Sequence, residues 1–291
     1  MTATTQTHQI RIEDLHFGYR RKAPLYTGLN LTLEPGRIYG LLGRNGSGKT
    51  TLLRLMAGLL NPWQGSIETW GYPAFERHPA MLEEICFIPE EWGVPDMKIG
   101  DLPKLMGPFY PRFDERLFWH LIDEFEVPQH GKITGSSLGQ KKKAILAFGL
   151  ATKARLLILD EPTNGLDIPS KSKFRKMVSS GIQDDICMII STHQVRDMVN
   201  LIDPLIILEN GKIIFQEELM EVSRKLVFKM HQGLQPPSDV IYAERVPGGY
   251  LTVAPNTKDE DSDVDLEVLF NTIIQYPQEM AKMFNDSNLS L

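Results

Sequence analysis

The sequence predicts an α/β protein built on a largely parallel sheet with helices on both faces. Three observations point there. From residue 140 onward, stretches at helical spacing alternate with the apolar runs "RLLILD" (155–160), "DICMIIST" (185–192) and "LIILENGKII" (205–214). The first run from Leu156 to Leu159, the second from Ile186 to Ile190 and the third from Leu205 to Leu208 are continuously apolar, so as strands they need cover on both faces, the condition of parallel sheets. Earlier, "IYGLLG" (38–43) runs into the glycine-rich "GRNGSGKT" (43–50) and then "KTTLLRLMAGLL" (49–60), read as strand, loop and helix.

The first element is the alternating "IRIEDLHFGY" (10–19), with Ile10, Ile12, Leu15, Phe17 and Tyr19 assigned to one side of a strand. "LNLTLEPGRIYGLLG" (29–43) reads as a strand, a Pro-Gly turn and a more continuously apolar strand. "GSIETWGYP" (65–73) reads as a further short strand and turn. Residues 81–130 are rich in proline and aromatics. Within them "FDERLFWHLIDEFEV" (113–127) puts Leu117, Phe118, Leu121, Ile122 and Phe125 on one helical face, with Asp114 placed to cap the N-terminus. After residue 140 the order expected is helix, "RLLILD", loop, helix, "DICMIIST", helix, and a strand over "LIILENGKII". Past about 220, "DVIYAERVPGGYLTVAPN" (239–256) reads as a hairpin around Pro-Gly-Gly. "DLEVLFNTIIQYPQEMAKMF" (265–284) reads as one or two helices, and the acidic "KDEDSDVD" (258–265) as a solvated loop. This C-terminal stretch forms a small α+β unit.

Composition narrows the function classes. At 291 residues the chain holds roughly two structural units. Its net charge of −6 provides no general attraction to nucleic acid, and no nucleic-acid partner is expected. Cys86 and Cys187 lack metal-ligand spacing and are expected as reduced thiols in a cytosol. The opening "MTATTQTHQ" lacks the apolar core of a secretion signal. No apolar run reaches the roughly eighteen residues of a membrane span, so any membrane role is expected to run through a partner.

"GRNGSGKT" matches G-x-x-x-x-G-K-[ST] at every fixed position. Gly43, Gly46 and Gly48 allow the backbone to wrap around phosphate oxygens, with Arg44, Asn45 and Ser47 between them. Lys49 is assigned to the β- and γ-phosphates and Thr50 to Mg²⁺, with Thr51 following on the helix. "LLILDE" ends a buried strand in Asp160, a second ligand for the metal at the edge where such folds bind ligands. Glu161 is assigned as the general base that orients the attacking water. "DICMIIST" delivers His193 to the same edge. "SSLGQ" (136–140) contains a capping box between Ser137 and Gln140 that starts a helix, and the Gly139 N–H adds a donor suited to an anion. Lys141, Lys142 and Lys143 point in three directions on that helix and read as a solvated surface.

The phosphate loop, "SSLGQ", "LLILDEPTNGLD" and "STHQ" resemble the ATP-binding-cassette ATPases, and residues 10 to about 215 take part. The chain resembles the nucleotide-binding subunit of an ABC transporter. That resemblance implies a P-loop cassette over 1–220, with a mixed or parallel core sheet, an antiparallel β subdomain and a helical subdomain inserted at about 88–150. Residues 221–291 are then a small accessory domain. It further implies ATP and Mg²⁺ as cofactors, Tyr19 stacked on adenine, Asp167 in a loop contacting a partner subunit, and His193 touching the γ-phosphate. Two copies would pack head to tail, with Ser137, Leu138, Gly139 and Gln140 of one completing the ATP site of the other.

Two departures stand out. Glu90 in "CFIPEEWG", with Glu91 as the alternative alignment, occupies the place where most family members carry a glutamine that touches the metal, and Leu138 enlarges the signature. Leu138 is acceptable where its φ is negative, as a first helical turn requires. "PEEWGVPDMKIGDL" (89–102), with Trp92, Val94 and Met97, reads either as a docking surface for an integral membrane permease, which the resemblance implies, or as a buried cluster within the helical subdomain. The ending "DLEVLF" (265–270) resembles that of exporter ATPases with a separate permease, so an exporter is expected, held at the inner face of the cell membrane. An importer ATPase and a soluble cassette protein of translation or nucleic-acid maintenance are the alternatives. The single cassette and the lack of a long coiled-coil insertion count against the soluble class.

Overall fold

A computed structural model describes residues 9–93, 97–129, 131–181 and 183–284. The chain opens with β1 (Ile10–Phe17), β2 (Tyr26–Leu33), β3 (Arg37–Leu42), α1 (Lys49–Met56), β4 (Gln64–Thr69) and β5 (Tyr72–Pro73). Next come α2 (Pro79–Leu82), β6 (Ile85–Ile88), α3 (Leu102–Met106), α4 (Glu115–Glu124), α5 (Leu138–Ala151), β7 (Leu156–Asp160), α6 (Ile168–Gly181) and β8 (Cys187–Thr192). The chain continues through β9 (Leu205–Glu209), β10 (Lys212–Glu217), α7 (Leu219–Lys225), β11 (Leu226–His231), β12 (Tyr242–Val246), β13 (Gly249–Pro255), α8 (Leu266–Gln275) and α9 (Pro277–Phe284).

The central six-stranded sheet runs β10-β9-β3-β8-β7-β6, parallel throughout except for the β9–β10 pair. Its interior strands are buried on both faces, as their apolar runs demanded. In β7, Leu156 and Ile158 join the core beneath the antiparallel sheet, while Leu157 and Leu159 join the core beneath the helices. In β8, Cys187 and Ile189 divide from Met188 and Ile190 in the same way. This is the period-two alternation of a strand read out as two separate cores.

The antiparallel sheet runs β2-β1-β4-β5. The alternation expected in β1 holds only because of a bulge. Asp14 has φ 45°, and the register with β2 slips one residue between Ile12 and Leu15, so Ile10, Ile12, Leu15 and Phe17 all face inward. Gly65 of β4 lies against that bulge, where an added Cβ would sit 2.2 Å from the Asp14 carbonyl. Tyr19, placed with the inward set by the sequence, is instead 63% exposed beyond the strand end.

Two expected elements are different. "LIILENGKII" is a hairpin and not one strand, because Asn210 and Gly211 both take positive φ (49° and 75°), the pairing that a two-residue primed turn requires. The helix expected after β8 is a single 3₁₀ turn, Val195–Met198. By contrast, α4 carries the face foreseen for it, with Phe118, Leu121, Ile122 and Phe125 buried and the Leu117 N–H donating to Asp114 Oδ1 at 2.9 Å.

At the C-terminal end, β11-β13-β12 form a three-stranded antiparallel sheet, with Val246 paired to Gly249 around the Pro-Gly-Gly turn. Pro277 separates α8 from α9, so the helical stretch is two helices. Phe284 packs edge-to-face on Phe215 at 5.1 Å, and the unit shares one hydrophobic core with the helical layer. The boundary expected between 220 and 221 falls inside α7. Among the described residues, no helix is long and apolar enough to cross a membrane.

Candidate functional site

The site forms where β3, β7 and β8 end, because parallel strands bring their C-terminal ends to one edge. There a cavity of about 850 Å³ is lined by Tyr19, Asn45, Gly46, Gly48, Lys49, Thr50, Thr51, Glu90, Glu161, Asn164 and His193 among others. Gly43, Arg44 and Ser47 form the back of the same loop.

Gly46 (φ 82°) and Gly48 (φ 111°) hold conformations that disfavour other residues. A Cβ on Gly48 would meet the Tyr26 hydroxyl at 2.7 Å, and that hydroxyl donates to the Gly48 carbonyl at 2.6 Å. The loop is thereby braced from β2. α1 begins at Lys49 with no side-chain cap, leaving its first N–H groups directed at the cavity. Lys49 is 7% exposed and donates to the carbonyls of Gly43 (2.8 Å) and Arg44 (3.3 Å). Burial pushes its ammonium down from the usual lysine range, opposed by the charges of Glu161, Asp160, Glu90 and Glu209.

Asp160 is 1% exposed. Its Oδ1 accepts from Ser191 Oγ at 2.5 Å, while its Oδ2 is buried without a hydrogen-bond partner. An orphaned buried carboxylate oxygen is costly unless something positive meets it. Glu161 follows with φ 48°, a left-handed conformation that costs on the order of 1 kcal/mol for a non-glycine residue. Its main chain is held on both sides: its N–H donates to the Ser191 carbonyl and hydroxyl, each at 3.1 Å, and its carbonyl accepts from Lys142 Nζ at 2.5 Å. Its side chain is 8% exposed, with Oε1 accepting from His193 Nδ1 at 2.8 Å and lying 4.0 Å from Lys49 Nζ. Glu90 Oε1 accepts from Asn164 Nδ2 at 2.7 Å. Tyr19 shares a hydrogen bond with Thr51 Oγ1 at 3.1 Å, leaving its ring exposed at the cavity mouth.

The signature residues do not join this cavity. Ser137 and Gln140 make the capping box reciprocally, at 3.2 and 3.0 Å, and start α5. Leu138 opens that helix without positive φ and is 73% exposed. Asp167 caps the next helix, its Oδ1 accepting from the Ser170 N–H at 2.8 Å. Trp92 and Met97 are half-buried against the helical core, and Val94 lies outside the described residues.

Lys142 corrects the reading of the lysine cluster as solvated surface. It is 8% exposed and donates to the carbonyls of Glu161 (2.5 Å) and Asn164 (3.0 Å). Asn164 and Ser191 were also missed as site residues. For Lys142 a signal existed: Ile145 and Leu146, three and four residues on, mark its face of the helix as the buried one.

The model of the family described as "ABC transporter" matches residues 26–164. The "ABC transporter ATP-binding protein YtrB" of Bacillus subtilis (strain 168) is 30% identical over 201 residues, 68% of this chain and 68% of that protein. The chain belongs to the ABC transporter ATP-binding family. The "Bacitracin transport ATP-binding protein BcrA" of Bacillus licheniformis is 34% identical over 190 residues, 64% of this chain and 62% of its own length. A solved "ATP binding subunit of ABC transporter" superposes with a TM-score of 0.68 at 23% identity, over 74% of this chain and 92% of that one, and so shares the fold. As an ABC transporter ATP-binding protein, the chain binds and hydrolyses ATP to power a membrane permease. That family role suits a cavity with a phosphate loop on one wall and Glu161 on the other.

Proposed function

We propose that this subunit works as a head-to-tail dimer in an exporter, held at the inner face of the membrane by a separate permease. The observation that carries the reading is the position of Glu161. Its carboxylate lies 4.0 Å from Lys49 Nζ and is held by His193, while the signature residues stand outside the cavity of their own chain, which a site completed by a second copy would account for. Export is favoured by the "DLEVLF" stretch at the start of α8, which resembles the ending of exporter ATPases with a separate permease.

In this reading adenine stacks on the exposed ring of Tyr19. The loop N–H groups of residues 45–51 and the open N-terminus of α1 receive the phosphates. Lys49 leaves its loop carbonyls to meet the β- and γ-phosphates. Thr50 and Glu90 line the cavity with oxygen donors, and Asp160, buried at the end of β7 beside Glu161, has an orphaned Oδ2 that fits a hard divalent cation. Mg²⁺ held there would neutralise phosphate charge. Glu161 accepts a hydrogen bond from the attacking water and orients it, and His193 fixes the carboxylate and reaches the γ-phosphate.

The test has two parts. Purified with its permease, the wild-type chain should hydrolyse ATP, and Glu161→Gln should bind ATP but hold the closed dimer. Lys49→Ala should lose productive ATP binding. Normal turnover by Glu161→Gln would sink the catalytic assignment, and failure to co-purify with any six-helix membrane protein would sink the transport complex.

A further inference from the structure

The buried ammonium of Lys142 has no place in the chemistry above, and nothing about a helix surface explains it. It rises from the second turn of α5, the helix that Ser137 begins. It ends beneath the turn 161–164, which carries the catalytic glutamate away from β7. Two of its N–H groups are spent on the carbonyls of Glu161 and Asn164. The Glu161 carbonyl also accepts from the Asn164 N–H at 3.2 Å, so one ammonium closes the turn at both ends.

A charge in that position is a poor choice for stability alone. Burial pushes its pKa down from the usual lysine range, and the neighbouring charges of Glu90, Glu161 and Asp160 oppose that shift. An apolar side chain would remove that conflict but would leave the two turn carbonyls without their donor. Those carbonyls belong to a turn that needs holding, since Glu161 is kept in left-handed conformation. Its N–H side is fixed to β8 through Ser191 and its carbonyl side to α5 through Lys142. The orientation of the catalytic carboxylate is therefore set jointly by the core sheet and by the helical layer.

We propose that Lys142 is a positioning residue for ATP hydrolysis, which ties the signature helix to the main chain of Glu161 and balances the Glu90 carboxylate that lines the same cavity. The inference rests on the assignment of Glu161 as the hydrolytic base. Its consequence follows from the two ends of α5. Ser137 and Leu138 face outward, where the proposed second copy binds, and Lys142 faces inward under Glu161. A shift of α5 on engaging the partner's nucleotide is passed to the glutamate of its own site through one side chain.

The test is Lys142→Met in the full chain, a substitution that keeps the length and the apolar stem and removes the donors. Single-turnover hydrolysis, binding of a fluorescent ATP analogue, thermal melting and amide exchange are measured together. The expected result is hydrolysis slowed by about 10- to 100-fold, the scale of a displaced catalytic group. ATP affinity should stay within about threefold of wild type, because the phosphate loop is untouched. Exchange at the Asn164 and Leu166 amides should rise. A rate per folded molecule equal to wild type would overturn the proposal, as would a loss of ATP affinity in step with rate. Where Lys142→Met fails to fold, Lys142→Leu, which likewise removes the donors, is judged by the same criteria. A wild-type chain that does not hydrolyse ATP would refute the functional reading instead. Exchange then decides alone, and unchanged protection of Asn164 overturns the role of Lys142.

Discussion

His193 Nδ1 lies 2.8 Å from Glu161 Oε1, and Lys49 Nζ stands 4.0 Å from the same oxygen. Two positive or donating groups that line the cavity therefore compete for one carboxylate oxygen. The histidine has the shorter contact, supplemented by its own N–H to Oε2 at 3.4 Å. This holds the Glu161 carboxylate closer to His193 than to the Lys49 ammonium.

Removing the ring should change that balance. In His193→Ala, Glu161 is free to swing onto Lys49, which withdraws the base and occupies the phosphate-binding ammonium. Turnover is expected to fall by about 100-fold, within the range for a mispositioned general base. ATP affinity should weaken by a few-fold as Lys49 is engaged. Steady-state kinetics with equilibrium ATP binding check this, and unaltered turnover would remove His193 from the site.

Glu90 offers a test of the metal assignment. Glu90→Gln retains an oxygen able to accept from Asn164 Nδ2, so the local fold should persist. It removes one negative charge from a cavity that Glu161 also lines, while the buried Asp160 Oδ2 stays unpaired. The Mg²⁺ concentration giving half-maximal hydrolysis should rise several-fold, since hard cations favour charged oxygen donors. A magnesium titration of both proteins decides it, and an unchanged midpoint would place Glu90 outside the metal's reach.

Much of the architecture was legible because the strands β7 and β8 are apolar on both faces, a pattern only a covered parallel sheet satisfies. The phosphate loop was legible because its chemistry is confined to eight consecutive residues, 43–50. What escaped depended on distant partners. Lys142 is buried by carbonyls 19 and 22 residues away, and Ser191 meets Asp160 across 31 residues. The β9–β10 hairpin escaped for a local reason: Asn210-Gly211 sits inside an apolar run that continues beyond it, and the run outweighed the turn signal. The bulge at Asp14 was hidden for the opposite reason, because it preserves the inward alternation that a regular strand would have shown up to Ile12 and then lost.

Stability can be tested at α4, far from the cavity. Asp114 caps the helix through the Leu117 N–H and pairs with Lys153 at 2.8 Å, and that hydrogen bond holds its carboxyl below the usual aspartate range. Asp114→Ala should cost about 1 kcal/mol, the typical value of a lost N-cap. Because the folded-state pKa is the depressed one, this contribution is complete above the unfolded value and lost as pH falls through the folded one. Melting curves should therefore differ between the two proteins at neutral pH and converge in strong acid. Equal melting at neutral pH would show that the cap is dispensable.

The last prediction concerns which chain completes which site. Ser137 and Leu138 are exposed and lie outside the cavity that Glu161 and Lys49 line in the same chain. If the second copy brings them to the nucleotide, Glu161 of one chain and Ser137 of the other serve the same ATP. Mixed dimers carrying Glu161→Gln and Ser137→Arg separate the possibilities by arrangement alone. With the two substitutions on different chains, both lesions fall in one site and the other stays whole. With both on one chain, each site receives one lesion and none is whole. The first arrangement should hydrolyse ATP and the second should not, although both contain the same residues in the same number. Equal rates would mean that the signature plays no part in hydrolysis, and reversed rates that it acts within its own chain; in either case the exposed start of α5 would need another partner.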